Sequence, residues 1–146
     1  MSLKAMFPEG RFSPAARETE IVAVETELGV RLPEQLRALY LQCDGFREPI
    51  GNAKYLLSLT ANDGMWSLMA ATKFWWREWP ETVGRIYPID FSKFVFFGSS
   101  VGSESWGMRL EAPHNIIAYH HDMEDEIEEC GLDIFDVYRR DFSIYG

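Results

Sequence analysis

The chain has 146 residues, of which 47% are hydrophobic and 25% charged, and its formal net charge is −9. This length suits one domain with its own core, and the composition excludes a disordered chain. No apolar run approaches the roughly 18 residues of a membrane-spanning helix. We therefore expect a single soluble domain over residues 1–146, and no contact with a membrane.

The negative charge is concentrated near the end of the chain. Residues 1–110 carry 12 basic and 13 acidic side chains, whereas residues 111–146 carry 10 acidic side chains against Arg139 and Arg140. An acidic surface repels phosphate backbones, so direct nucleic-acid binding is disfavoured. It attracts a basic protein and accelerates the encounter with it. The alternative is a solvated face that only keeps the protein soluble.

The two cysteines and the first residues indicate the compartment. Cys43 and Cys130 form no Cys-x-x-Cys pair, which favours two reduced thiols in the cytoplasm. Residues 1–11 lack the basic and apolar stretches of a signal peptide. We expect residues 1–12 to be flexible or extended.

Three helices are predicted in the first half of the chain. Ser13-Pro14 resembles a helix start, and Gly29 a left-handed stop. A second helix should open at Leu32-Pro33 and end at Asp44-Gly45, and a third should span Met65 to Trp79. The residues at helical spacing in these three segments are Ile21, Val24 and Leu28; Leu36, Leu39, Tyr40 and Cys43; and Leu68, Ala71, Thr72, Trp75 and Trp79.

The rest of the chain reads mainly as strands, after a predicted loop over 46–54. The predicted strands are Tyr55–Leu59, Phe94–Phe97, Trp106–Leu110 and Ile116–Tyr119. A last helix should carry Ile134, Val137 and Tyr138, with Asp133 as its cap. Because helices and strands do not alternate as βαβ units, the order predicts an α+β fold with a largely antiparallel sheet packed against helices.

No motif points to catalysis, a cofactor or a metal. The loop from Gly98 to Ser103 lacks the lysine of a P-loop, and no serine lies in a Gly-x-Ser-x-Gly elbow. A strand would place His120 and His121 on opposite faces, so together with His114 and Asp122 they do not make a convincing metal site. We therefore predict no catalytic residue, no metal ligand and no cofactor.

An acidic segment combined with spare aromatic residues stands above this background. Its carboxylates are Asp122, Glu124, Asp125, Glu126, Glu128 and Glu129. Adjacent Trp75 and Trp76 cannot both point inward, and we take Trp76 and Trp106 as apolar anchors beside these charges. The segment is then a docking surface for a basic protein. The alternative is an enzyme or small-ligand receptor with a pocket lined by Trp75, Trp106, Tyr119 and His120.

The order of these pieces resembles the SUKH superfamily, which includes Smi/Knr-type regulators of fungal cell-wall assembly and bacterial immunity proteins. The resemblance lies in the segment from Ile21 to Pro33, in the helix ending at Asp44-Gly45, and in the pieces from Phe97-Gly98 to Trp106-Gly107. It implies an α+β fold, no enzymatic activity, and a protein partner. That partner would be a toxin domain, such as a nuclease, of a contact-dependent or polymorphic toxin system; a regulatory scaffold is the alternative.

Overall fold

The computed structural model describes residues 2–47, 54–61, 67–78, 89–99, 104–120 and 126–141. These residues form five α-helices: α1 (Leu3–Met6), α2 (Glu18–Leu28), α3 (Glu34–Gln42), α4 (Leu68–Lys73) and α5 (Ile134–Asp141). A π-helical segment, Phe74–Glu78, continues α4, and a short 3₁₀ turn, Phe91–Lys93, precedes the fourth strand. The seven strands are β1 (Arg11–Phe12), β2 (Phe46–Arg47), β3 (Lys54–Leu56), β4 (Phe94–Ser99), β5 (Glu104–Arg109), β6 (Ile116–His120) and β7 (Glu126–Gly131).

The described strands form one sheet whose spatial order follows the chain, from β1 to β7, and every neighbouring pair is antiparallel. This confirms the predicted α+β class. The sheet is narrow at one seam: β3 meets β4 through the register pair Lys54 and Ser99, and Leu57 N donates to Phe97 O at 2.7 Å. The three-stranded part, β1–β3, therefore joins the four-stranded part, β4–β7, over a short length.

Helix α4 lies where β3 does not reach along β4. Thr72 Oγ1 accepts a hydrogen bond from Phe96 N at 3.0 Å, and Trp76 Nε1 donates to Phe94 O at 2.7 Å. The predicted apolar stripe of this helix is confirmed for Leu68, Ala71, Thr72 and Trp75, which are all buried, while Trp79 lies outside the described residues. Helix side chains thus satisfy backbone groups of β4 that a neighbouring strand would otherwise bind.

The first long helix begins later than its sequence indicated. Helix α2 starts at Glu18 rather than near Ser13-Pro14, and the Glu20 carboxylate accepts from Arg17 N at 2.9 Å in the manner of a capping box. Upstream of it, Ala16 N donates to Tyr40 O at 2.9 Å. The backbone before Glu18 is thereby bound to α3, which a local pattern does not reveal. Gly29 ends the helix in the left-handed conformation, as predicted.

The expectation of a flexible or extended segment over residues 1–12 is corrected for Leu3–Met6, which is helical, while Arg11–Phe12 is extended as expected. Leu3–Met6 is a helical turn, and Arg11–Phe12 is the edge strand β1. Leu3 and Phe7 are buried, and Leu3 N donates to Gln42 Oε1 at 2.9 Å. Leu3 and Phe7 both occupy the core, and their burial fixes this segment.

Besides β1, two strands were missed. Phe46–Arg47, at the start of the predicted loop, is β2 and pairs with both β1 and β3. Glu126–Gly131, in the acidic run, is β7 and pairs with β6. Neither segment has a strand-like composition, so partner strands determine both conformations.

Buried polar groups fasten the helices to each other and to β3. Arg37, 9% exposed, pairs with the carboxylates of Glu25 and Glu18 and so joins α2 to α3. The phenol of Tyr40 donates to Leu57 O at 2.6 Å, and that of Tyr138 donates to Tyr55 O at 2.9 Å. Both tyrosines are fully buried, which raises the pKa of each phenol and keeps it neutral as a donor.

Among the described residues, no helix combines the length and the apolar character required to cross a membrane.

Candidate protein-docking surface

Strand β7 presents the described part of the acidic segment. It lies at the end of the strand order and pairs with β6 from His120 opposite Glu126 to Ile117 opposite Glu129. Successive side chains of a strand point to opposite faces, so Glu128 and Glu129 lie on different sides of the sheet. The acidic segment is therefore not one charged face at this point but an acidic strand that carries charge on both sides.

On one side, Glu128 lies beside a histidine. His120 Nε2 is 3.1 Å from Glu128 Oε1, and the side chain of Glu128 is 61% exposed whereas that of His120 is 15% exposed. The register places Glu128 opposite Ala118, and Ala118 opposite Trp106. The carboxylate therefore stands at the outer end of a cross-strand row whose inner member is an indole.

On the other side, Glu129 lies beside an arginine. Arg109 Nη2 donates to Glu129 Oε2 at 2.5 Å, and the two side chains are 37% and 49% exposed. The same guanidinium lies 4.9 Å from the ring centroid of Phe94, a cation–π contact that holds it above β4. Asn115 Nδ2 is 3.5 Å from the second carboxylate oxygen. In the sequence, the acidic segment contains no compensating basic residue, but the pairing of the strands brings Arg109 next to Glu129.

The two proposed aromatic anchors differ in exposure. Trp106 is 7% exposed, so its ring belongs to the core and its assignment as an exposed anchor is wrong. Strand alternation turns it toward the interior together with Met108. Trp76 is partly buried against the core, and its indole N–H is bound to Phe94 O. Trp76 thus keeps a part of its surface exposed, although its polar atom is already used.

The rings proposed to line an aromatic pocket are packed in the core. Trp75 and Tyr119 are buried and meet edge to face, with ring centroids 5.2 Å apart. Phe91 contacts both rings, at 5.5 Å from Trp75 and 5.1 Å from Tyr119. These rings fill space against one another rather than line a binding site, and Trp106, on the opposite face of the sheet from Tyr119, is buried as well.

The metal cluster weighed from the sequence is only partly described. His114 Nδ1 lies 3.0 Å from Arg109 O, and His120 contacts Glu128, while His121 and Asp122 lie outside the described residues. Over the described ranges, no group of three or more His, Cys, Asp or Glu side chains is arranged to hold a metal ion.

The remaining predicted residues fall outside the description. Asp122, Glu124 and Asp125 are not described, and only the backbone of Glu126 is. The sequence did not identify Arg109 and His120 as neighbours of the acidic strand. The sequence offered no clear strand signal there, because Ile127 and Cys130 are three residues apart and do not alternate, and only the pairing with β6 reveals the strand.

Two comparisons with known proteins bear on this chain. The model of the SMI1/KNR4 family (SUKH-1) matches residues 15–137, most of the chain. A comparison with curated proteins gave no match.

Proposed function

Because the chain belongs to the SMI1/KNR4 family (SUKH-1), we propose that it is a non-catalytic protein-binding domain that acts as an immunity protein in the cytoplasm. It would neutralise a basic toxin domain by binding it through the acidic segment over residues 122–129. A nuclease is the toxin class that fits best, because a surface that binds nucleic acid is itself basic. An acidic inhibitor then imitates the charge of the substrate.

The observation that carries this proposal is the position of the acidic strand. Glu128 and Glu129 are exposed on opposite sides of the outermost described strand of the sheet, in a region that holds most of the net charge of −9. Charge on both faces of this edge attracts a partner that approaches from either side of the sheet. Such charge raises the association rate more than it raises the final affinity.

The present contacts of these carboxylates, an ion pair with Arg109 and a hydrogen bond with His120, are compatible with exchange for a partner's groups. Arg109–Glu129 and His120–Glu128 are both solvent-exposed on the carboxylate side. Exposed pairs contribute little to stability, so giving them up costs little. A lysine or arginine of the partner can replace Arg109 or His120 without unfolding the sheet.

The experiment begins with affinity capture from the native host at low and high salt, using the full chain as bait. The captured protein is then purified and its association rate measured against ionic strength. The wild type is compared with E128Q/E129Q and with the control E9Q/E27Q, which removes the same charge from exposed positions outside β7. Like Glu129, Glu27 has a basic partner, Lys73 at 2.7 Å.

We expect a basic partner whose association with E128Q/E129Q is several-fold slower at low salt and less sensitive to salt. The control should associate almost like the wild type. A partner whose rate is the same for all three proteins would show that the acidic strand only confers solubility. Growth protection by this protein against the captured toxin separates immunity from a regulatory scaffold, which would give none.

A further inference from the structure

The backbone of β7 offers a second means of recognition besides its charge. One side of the strand pairs with β6, and the described residues include no strand on its other side. Alternate residues of such a strand direct their N–H and C=O groups away from the sheet. An edge of this kind binds an extended segment of another chain by adding it as a further strand.

At one end of this edge, a side chain already binds the backbone. Arg140 Nη2 donates to Cys130 O at 2.7 Å, and α5 begins four residues later. The register between β6 and β7 also shifts opposite Ile116 and Ile117, where Cys130 is the additional residue. The regular part of the edge therefore spans residues 126–129.

The charges of residues 126–129 determine which kind of strand can pair with this edge. A second copy of the chain, paired through the same strand, would bring carboxylates against carboxylates, and like charges across a strand pair are destabilising. Because Glu128 and Glu129 lie on opposite faces, a complementary strand carries two adjacent basic residues, which also point to opposite faces. Arg109 and His120 show that basic groups fit beside these carboxylates on either face.

We propose that the partner adds an extended strand with adjacent lysine or arginine residues to the outer edge of β7 over residues 126–129. This inference rests on the proposed function, because it specifies how the same acidic strand engages a protein. It differs from the reading in which acidic side chains on an edge strand serve only to prevent pairing. If the partner adds a strand, binding protects the outer backbone amides of β7 from hydrogen exchange. If the acidic side chains only prevent pairing, those amides exchange as before.

The test uses the full chain and two synthetic peptides. The first is a ten-residue peptide with two adjacent lysines flanked by threonine and valine. The second has the same sequence and charge but is N-methylated at alternate residues, which removes the backbone donors of one edge. Binding is followed by amide chemical shifts and by amide hydrogen exchange in the labelled protein.

We expect the first peptide to shift the amides of residues 126–129 and to protect alternate ones among them, and the N-methylated peptide to bind at least about tenfold more weakly. The variant E128Q/E129Q should bind the first peptide more weakly while keeping the same location. Equal binding of both peptides without amide protection, or protection centred elsewhere, overturns the proposal. If the captured partner binds while the amides of β7 keep their exchange rates, the mode of docking is wrong and the proposed function stands.

Discussion

The guanidinium of Arg37 on α3 donates to the carboxylate of Glu25 on α2 at 3.1 Å, and both side chains are nearly hidden from solvent. Glu25 also accepts from Leu32 N at 2.7 Å, in the connection between the two helices. Burial alone would raise the pKa of the Glu25 carboxyl, but the hydrogen bonds from Arg37 and Leu32 outweigh it and hold that pKa below its usual range. The ionised carboxylate of Glu25 therefore stabilises the folded state.

We predict that Glu25→Gln destabilises the protein at neutral pH by about 2 kcal/mol, since Arg37 loses its main charge partner. Because the folded-state pKa is depressed, the stabilisation is fully present above the unfolded value of about 4.3 and is lost as the pH falls through the lower folded value. The difference between wild type and variant should therefore shrink on acidification. Urea unfolding at a series of pH values measures it.

Glu34→Gln serves as the control, because Glu34 pairs with Arg31 on the surface, where the two side chains are 78% and 73% exposed. It should change stability little at any pH. A gap between wild type and Glu25→Gln that stays constant down to low pH would contradict the assigned role of Glu25.

We predict that the side-chain amide of Gln35 fixes the start of α5. Gln35 Nε2 donates to Leu132 O at 2.6 Å, and its Oε1 accepts from Ile134 N at 2.9 Å. Gln35→Leu should cost about 1–2 kcal/mol and accelerate amide exchange in the first turn of α5. Gln35→Glu keeps the acceptor and should lose less. Equal loss in both variants would mean that the contact with Ile134 contributes nothing.

We predict that Gly45 cannot be replaced. Its φ is 106°, and a Cβ there would lie 2.8 Å from Ser58 Oγ and 3.0 Å from Ser58 N. Gly45→Ala should therefore cost about 3 kcal/mol or more. Gly29→Ala is the matched control: φ is 75°, but nothing lies within 4 Å of the new Cβ, so about 1 kcal/mol is expected. Thermal unfolding compares them, and similar losses would refute the steric argument.

We predict that Thr72→Val destabilises the protein by about 1–3 kcal/mol although the shape of the side chain is conserved. Thr72 is fully buried, and its hydroxyl is the acceptor for Phe96 N. Thr72→Ser keeps that acceptor and should lose mainly the packing of one methyl group. The amide exchange rate of Phe96 is the direct readout. It should rise in the valine variant and stay slow in the serine variant.

The fold class and the apolar faces of the helices could be predicted because both depend on local spacing. Leu68, Ala71, Thr72 and Trp75 recur at helical intervals, and all four are buried. The shortest strands could not be predicted. Arg11–Phe12 and Phe46–Arg47 are two residues each, and only their pairing gives them a conformation. Trp106 was misplaced for a related reason, since the side of a strand that faces the core depends on what packs there.

The acidic residues were identified from the sequence, but the strand that they form was not. Composition alone located the carboxylates of Glu128 and Glu129, whereas their separation onto two faces follows from the register with β6. Pairing across strands also brought Arg109 within hydrogen-bonding distance of Glu129, 20 residues away in the chain. A sequence pattern gives the residue types of such a site, and the sheet decides which of them meet.

The spatial order of the strands, which follows the order of the chain, also bears on how the protein folds. Each strand pairs with its nearest neighbour in sequence, and the strands from β4 to β7 follow one another closely, so that part of the sheet can grow by short closures of modest entropic cost. The pairs Arg11 with Arg47 and Lys54 with Ser99 close longer loops. The contact between Gln35 and Ile134, by contrast, joins residues that are 99 positions apart, so its closure costs more conformational entropy. Docking of α5 beside α3 thus joins segments that are far apart in the chain, and the slowest productive step should be sought there.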